Sequence, residues 1–266
     1  MEAFQQPFML RAFAAAAISG LLLPLLGNFL VPKKLSLLGD ASSHFTFAAL
    51  AIGALVGFVN IAIAYVMAVL AVLGILRLVR GLRLAGDQAL AIFLSLGAAI
   101  AALAISVGAR LNLSAILFGS VLVVQVEDLV GGLAVSIFTV VFTVARFGNV
   151  ILYTVSDELA RIRGVRVQLY EFLLALAAGL AIVSGVKIVG VLLITALLVI
   201  PAASTSLLAS SLKRAIVASI LIGELSLFLG VLSSFYLNIA PGALAVFILL
   251  SVFGASLVAS RLGLRI

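Results

Sequence analysis

The chain consists of apolar runs of about 20 residues, separated by short polar breaks. A hydrocarbon core needs a helix of about that length for one crossing. Nine such segments can be read: Phe8 to Val31, Leu35 to Gly57, Asn60 to Leu78, Gln88 to Ala109, Leu129 to Ala145, Leu169 to Ser184, Ile188 to Pro201 (extending towards Leu208), Arg214 to Phe235, and Pro241 to Ser260. A transmembrane β-barrel would instead show weaker, alternating runs of about ten residues. The expectation is an all-α, polytopic transmembrane helix bundle of about eight to nine spans, forming one domain over residues 1–266.

Composition agrees. Hydrophobic residues make up 65% of the chain and charged residues 9%, against about 25% charged in a soluble domain. There are too few charges to cover a water-facing surface, so the lipid bilayer is the implied solvent. Met1 to Pro7 carries Glu2 and lacks the basic start and cleavage site of a signal peptide, so the first apolar run reads as a retained span.

The net charge of +7 does not point to nucleic acid, because the basic residues are scattered over short loops. With the N-terminus outside and the spans alternating, the inner loops hold Lys33, Lys34, Arg77, Arg80, Arg83, Arg146, Arg161, Arg163, Arg166, Lys213, Arg214, Arg261 and Arg265. The outer side holds Arg11, Arg110 and Lys187. Cytoplasmic loops carry such an excess. An odd number of crossings follows, with the C-terminus cytoplasmic in an inner membrane.

Two stretches resist the span pattern. Residues 110–128 are apolar but broken by Asn112, Ser114, Gly119 and Ser120, which suggests a half-helix or an interfacial segment. Arg146 to Gln168 is the longest polar stretch. Within it, Ser156 can cap a short helix. Asp157 and Glu158 suit its positive end, Arg161 and Arg163 its negative end, and Gly164 its stop.

The polar residues inside the spans are few. Asp40 and His44 lie four residues apart, one turn along one helix face. His44 is the only histidine. Imidazole and carboxylate together suit divalent transition metals, and two ligands are enough for an ion that must also leave. Ser42, Ser43, Thr46, Asn28 and Glu224 are candidates to complete the shell. A plainer account stays open: Asp40 paired with Lys33 or Lys34, and His44 hydrogen-bonded in the core. Glu224 has two readings as well, as metal ligand or path residue, or as a glutamate held by hydrogen bonds in the bundle. Glu171 and Lys187 sit near span ends, where snorkelling accounts for them. Gly53 and Gly57 form a small-xxx-small pair suited to close helix packing.

Catalytic machinery is missing. The chain has no cysteine, no G-x-x-x-x-G-K-[ST], no H-E-x-x-H and no G-x-S-x-G. An enzyme acting within this chain is not expected.

Five segments in order resemble a known family. They are Leu35 to His44 (with Gly39-Asp40 and His44), Leu117-Phe118-Gly119-Ser120 with Glu127-Asp128-Leu129, Leu159 to Val165, Val189 to Ala203 with Ile200-Pro201-Ala202-Ala203, and Ser234-Phe235-Tyr236 before Pro241-Gly242. Together they are similar to the metal-type membrane permeases of ABC transporters, the zinc/manganese/iron uptake group. The family usually carries Ala where this chain has Ser43. The resemblance implies a homodimeric permease that moves a divalent metal, zinc or manganese, with ATP bound by separate cytosolic ATPase subunits. It implies an extracytoplasmic metal-binding protein that delivers the ion, and Asp40 and His44 as contributors to the metal site. It also implies that Ser156, Asp157, Glu158, Ala160, Arg161, Arg163 and Gly164 form the segment seated on the ATPase. The rival reading is a secondary metal/proton transporter with Asp40, His44 and Glu224 as a relay.

Overall fold

The computed structural model describes residues 5–57, 61–81 and 86–264. Among them the chain forms helices and no strand. Glu2, Asn60, Arg83 and Arg265 lie outside the described residues, as does the side chain of Arg80.

The long helices are α1 (Pro7–Leu30), α2 (Leu38–Val56), α3 (Ile61–Gly81), α4 (Gly86–Ser106), α6 (Val126–Ala145), α9 (Val167–Val189), α11 (Leu212–Leu237) and α12 (Pro241–Arg261). Four are shorter: α5 (Leu113–Phe118), α7 (Phe147–Val155), α8 (Asp157–Ile162) and α10 (Ile194–Ser206). Seven of the long helices are apolar enough to cross a membrane. The eighth, α2, is 19 residues long; Asp40, Ser42, Ser43 and His44 make its first half polar.

The centre of the bundle is α1 with α9. α1 packs on α6, α9, α10 and α11, while α9 also meets α2 and α3. Two apolar helices gain little by associating in lipid, so close contact must come from small residues. Gly27 of α1 lies against the Leu198 carbonyl of α10, and Gly20 against Glu224 of α11. Pro24 sits inside α1 and has no N–H to bond Gly20. Asn28 adds a polar clasp, donating to the Pro24 carbonyl at 2.8 Å and to Ser219 Oγ of α11 at 2.6 Å.

Three sequence expectations change. The seventh segment is a shorter helix than the other spans. α9 extends through Val189 and takes its start, and Gly190 breaks the helix at φ 93°. The remaining α10 has 13 residues, about 20 Å of helix against a core of about 30 Å. The corner at 190–193 and the turn after Ser206 complete the return. The stretch 146–168 is not uniformly polar either: its first part is α7, an apolar nine-residue helix with Val150 and Tyr153 buried. Gly57 does not pack a helix; it caps α2 at φ 76° and stands in open space.

The two ends of the bundle are marked by ion pairs. Lys33, after α1, bonds Asp157 at 2.6 Å. Lys187, at the far end of α9, bonds both oxygens of Asp128 at 2.8 Å. Each pair joins loops assigned to one side by the charge count. Lys213 also stacks on Phe147, 5.7 Å from the ring centre, which sets the start of α11 beside the end of α6.

Candidate metal site

Asp40 is in the first turn of α2. A helix start leaves backbone N–H groups unpaired and favours a negative side chain. Its carboxylate also faces the first turn of α10, where Thr195 Oγ1 donates to Asp40 Oδ1 at 2.6 Å. The approach requires Gly39: a Cβ there would collide with Thr195. Asp40 thus lies at the positive ends of two helices, α2 and the short α10. Lys33 is engaged with Asp157, not Asp40.

His44 follows one turn on, half-buried on the same helix. Its backbone is crossed by Gly97 of α4, where an added Cβ would come within 3.0 Å of the His44 carbonyl carbon. Its Nδ1 is buried and has no hydrogen-bond partner among the described residues. A buried ring nitrogen normally pairs; an unshared one beside a carboxylate is the donor set that a divalent cation fits. The hydroxyls of the stretch divide the remaining work. Ser43 Oγ lies 3.0 Å from both the Asp40 and the Val191 carbonyls. Thr46 bonds back to the Ser42 carbonyl at 2.9 Å, and Ser42 Oγ is buried without a partner among the described residues.

Glu224 is elsewhere. It stands on α11 against Gly20 of α1, and α11 packs on α1, α10 and α12. Among the described residues no three His, Asp or Glu side chains gather closely enough to hold one ion. Within one chain, Asp40 and His44 therefore form a pair to which Glu224 is not joined. Asn28 is used up in the α1–α11 clasp.

Above the pair lies an outer cavity of about 490 Å³, lined by Leu50, Ile61, Asn112, Gln125, Glu127 and Lys187 among others. Leu50 is on α2, six residues beyond His44, so the cavity floor is about 9 Å of helix from the imidazole. Lys187, expected to snorkel, instead pairs with Asp128 at this mouth. Asp128 also accepts from the Gln125 N–H at 2.8 Å, closing a capping box on α6.

At the other end, α8 has the expected caps. Ser156 Oγ accepts from the Leu159 N–H at 3.3 Å, and Gly164 adopts φ 74°. Asp157, Glu158, Arg161 and Arg163 are exposed. Ala160 turns inward and is fully buried. Leu159 and Ile162, absent from the sequence-based set, are exposed at 51% and 81%.

The profile of the ABC 3 transport family matches residues 5–260. The chain belongs to the ABC 3 transport family. It is a multi-pass membrane permease subunit and not itself an enzyme. The manganese import system permease protein ScaB of Streptococcus parasanguinis is 31% identical over 255 residues, covering 92% of this chain and 90% of ScaB. The chelated iron transport system membrane protein YfeD of Yersinia pestis is 28% identical over 258 residues, covering 97% and 87%. Among solved structures, PsaBC from Streptococcus pneumoniae in complex with Fab superposes with a TM-score of 0.83 at 29% identity, covering 95% of this chain and 92% of that one. Sequence reasoning missed Thr195, the Val191 carbonyl and Gly97. Val191 and Thr195 lie in the Val189 to Ala203 segment already singled out, but nothing in the string shows that this segment or Gly97 meets α2.

Proposed function

We propose that this permease carries a divalent transition metal ion, zinc or manganese, across the cytoplasmic membrane, with Asp40 and His44 as its passing ligands. The observation that carries the reading is the pair itself: a carboxylate and an unshared buried imidazole nitrogen, one turn apart on α2. Relatives named for manganese and for chelated iron support a metal cargo without choosing one. Separate cytosolic ATPase subunits bind ATP, an extracytoplasmic binding protein delivers the ion to the outer cavity, and the permease works as a homodimer. The exposed face of α8 is the seat for the ATPase. Transport requires that the ion's affinity differ between the outward and inward states. Two ligands from one chain make a site weak enough to release its ion.

The test is uptake in proteoliposomes holding the permease, ATPase and binding protein, comparing zinc, manganese and iron. Asp40→Asn and His44→Ala are expected to abolish uptake of the cargo metal. Wild-type rates in both variants would sink the site, and ATP-independent uptake driven by a proton gradient would sink the importer reading.

A further inference from the structure

We infer that Thr195 is a positioning residue for metal binding, acting from the short helix α10 by orienting the carboxylate of Asp40. The inference rests on Asp40 and His44 being the ion's ligands, and adds to that reading a residue on another helix.

The geometry is specific. Thr195 and Asp40 are 155 residues apart, and the hydroxyl donates to one carboxylate oxygen only, Oδ1 at 2.6 Å. Oδ2 is left without a protein partner among the described residues. A carboxylate tied through one oxygen offers the other as a single, fixed ligand. Hydrogen bonds of this kind commonly orient metal-binding carboxylates. The contact is also built rather than incidental. Gly39 leaves the space for it, since any Cβ would displace the threonine side chain.

The same two segments meet a second time. Ser43, between Asp40 and His44, reaches the Val191 carbonyl at 3.0 Å. Val191 is held in turn by the outer half-helix: its N–H donates to the Ile116 carbonyl at 3.0 Å, and that of Leu192 to the Leu117 carbonyl at 3.2 Å. The 191–195 corner is therefore pinned to α5, and from it Thr195 and the Val191 carbonyl hold α2. The carboxylate is oriented by a segment outside its own helix, so a shift of α10 would change how Asp40 is held.

The experiment measures equilibrium binding of Mn²⁺ and Zn²⁺ to the whole permease–ATPase complex in lipid nanodiscs, with melting temperature recorded on the same samples. The variants are Thr195→Val, Thr195→Ser and Asp40→Asn. Thr195→Val keeps the shape and removes the hydroxyl; affinity is expected to fall about tenfold, the lower end for loss of such an orienting contact, at an unchanged melting temperature. Thr195→Ser restores the hydroxyl and should bind within about twofold of wild type on the same argument. Wild-type affinity in Thr195→Val, with binding lost in Asp40→Asn, overturns the positioning role and leaves the ligand assignment standing. Equal weakening in Thr195→Val and Thr195→Ser with lowered melting temperatures overturns it too, as a packing effect. Wild-type binding in Asp40→Asn removes the ligand assignment and this inference with it.

Discussion

Lys33 and Asp157, 124 residues apart in sequence, meet at 2.6 Å. The Lys33 ammonium also sits 4.3 Å from the centre of the Tyr153 ring. One lysine after the first helix thereby fastens both α7 and the start of α8. The α8 segment is not a free loop; it is latched to the helix at the centre of the bundle.

The Lys33 side chain is 15% exposed but that of Asp157 49%, so the acid of the pair stays solvated and the pair contributes about 1 kcal/mol to stability. Lys33→Ala and Asp157→Asn should therefore leave the melting temperature of the purified permease almost unchanged. Uptake in reconstituted complex is expected to fall several-fold, because α8 loses its latch. The charge-exchanged double variant, Lys33→Asp with Asp157→Lys, should recover part of it. A large fall in melting temperature with uptake per folded molecule intact would contradict this.

The Lys187–Asp128 pair should behave in the opposite way. Asp128 is 5% exposed and Lys187 18%. Removing one partner strands the other charge, at a cost of about 3–5 kcal/mol. Asp128→Asn and Lys187→Met are each expected to lower the melting temperature clearly. The double variant should regain most of the loss, since no unpaired charge remains. Additive losses in a double-mutant cycle would show that the two groups do not depend on each other.

Glu224 provides a separate check on mechanism. It is not gathered with Asp40 and His44, and its backbone meets Gly20 of α1. Glu224→Gln, which keeps the shape, should retain most ATP-driven metal uptake, measured beside His44→Ala as the dead control. Loss of uptake equal to that of His44→Ala would return Glu224 to the transport path.

The corner between α9 and α10 makes a folding prediction. Gly190 has φ 93°, and a Cβ there would fall on the Leu117 carbonyl and the Gly119 N–H. Left-handed backbone and backbone collision combine, and Gly190→Ala should cost about 2–4 kcal/mol. Gly164→Ala has a positive φ but open space around it, so about 1 kcal/mol is expected. Thermal melts of the two variants in the same detergent compare these costs directly; equal losses would mean that the corner is less closely packed than it looks.

Much was legible in the sequence. Hydropathy alone marked the long helices to within a few residues, because a segment of about 20 apolar residues has few alternatives in a bilayer. The 13-to-3 division of basic residues set the orientation, and the ion pairs at each end agree with it. Ser156 and Gly164 were readable as caps, since capping depends on neighbours only. Asp40 and His44 stood out because polar side chains at membrane depth are expensive. These are all local or additive properties of a one-dimensional string.

The tertiary structure decided the rest. Only the folded chain shows that α10 is shorter than a full span and that its first turn meets Asp40. Only there do Thr195 and the Val191 carbonyl become partners of α2, and does Glu224 lie against Gly20 of α1, not gathered with Asp40 and His44 among the described residues. Such facts depend on which helix lies against which. In lipid that is settled by small residues at crossings, such as Gly39 under Thr195 and Gly97 over His44. A glycine that admits a neighbour looks the same in sequence as one that ends a helix, as Gly57 does. The sequence by itself therefore determined a membrane bundle and its polar pair; the packing determined what holds that pair in place.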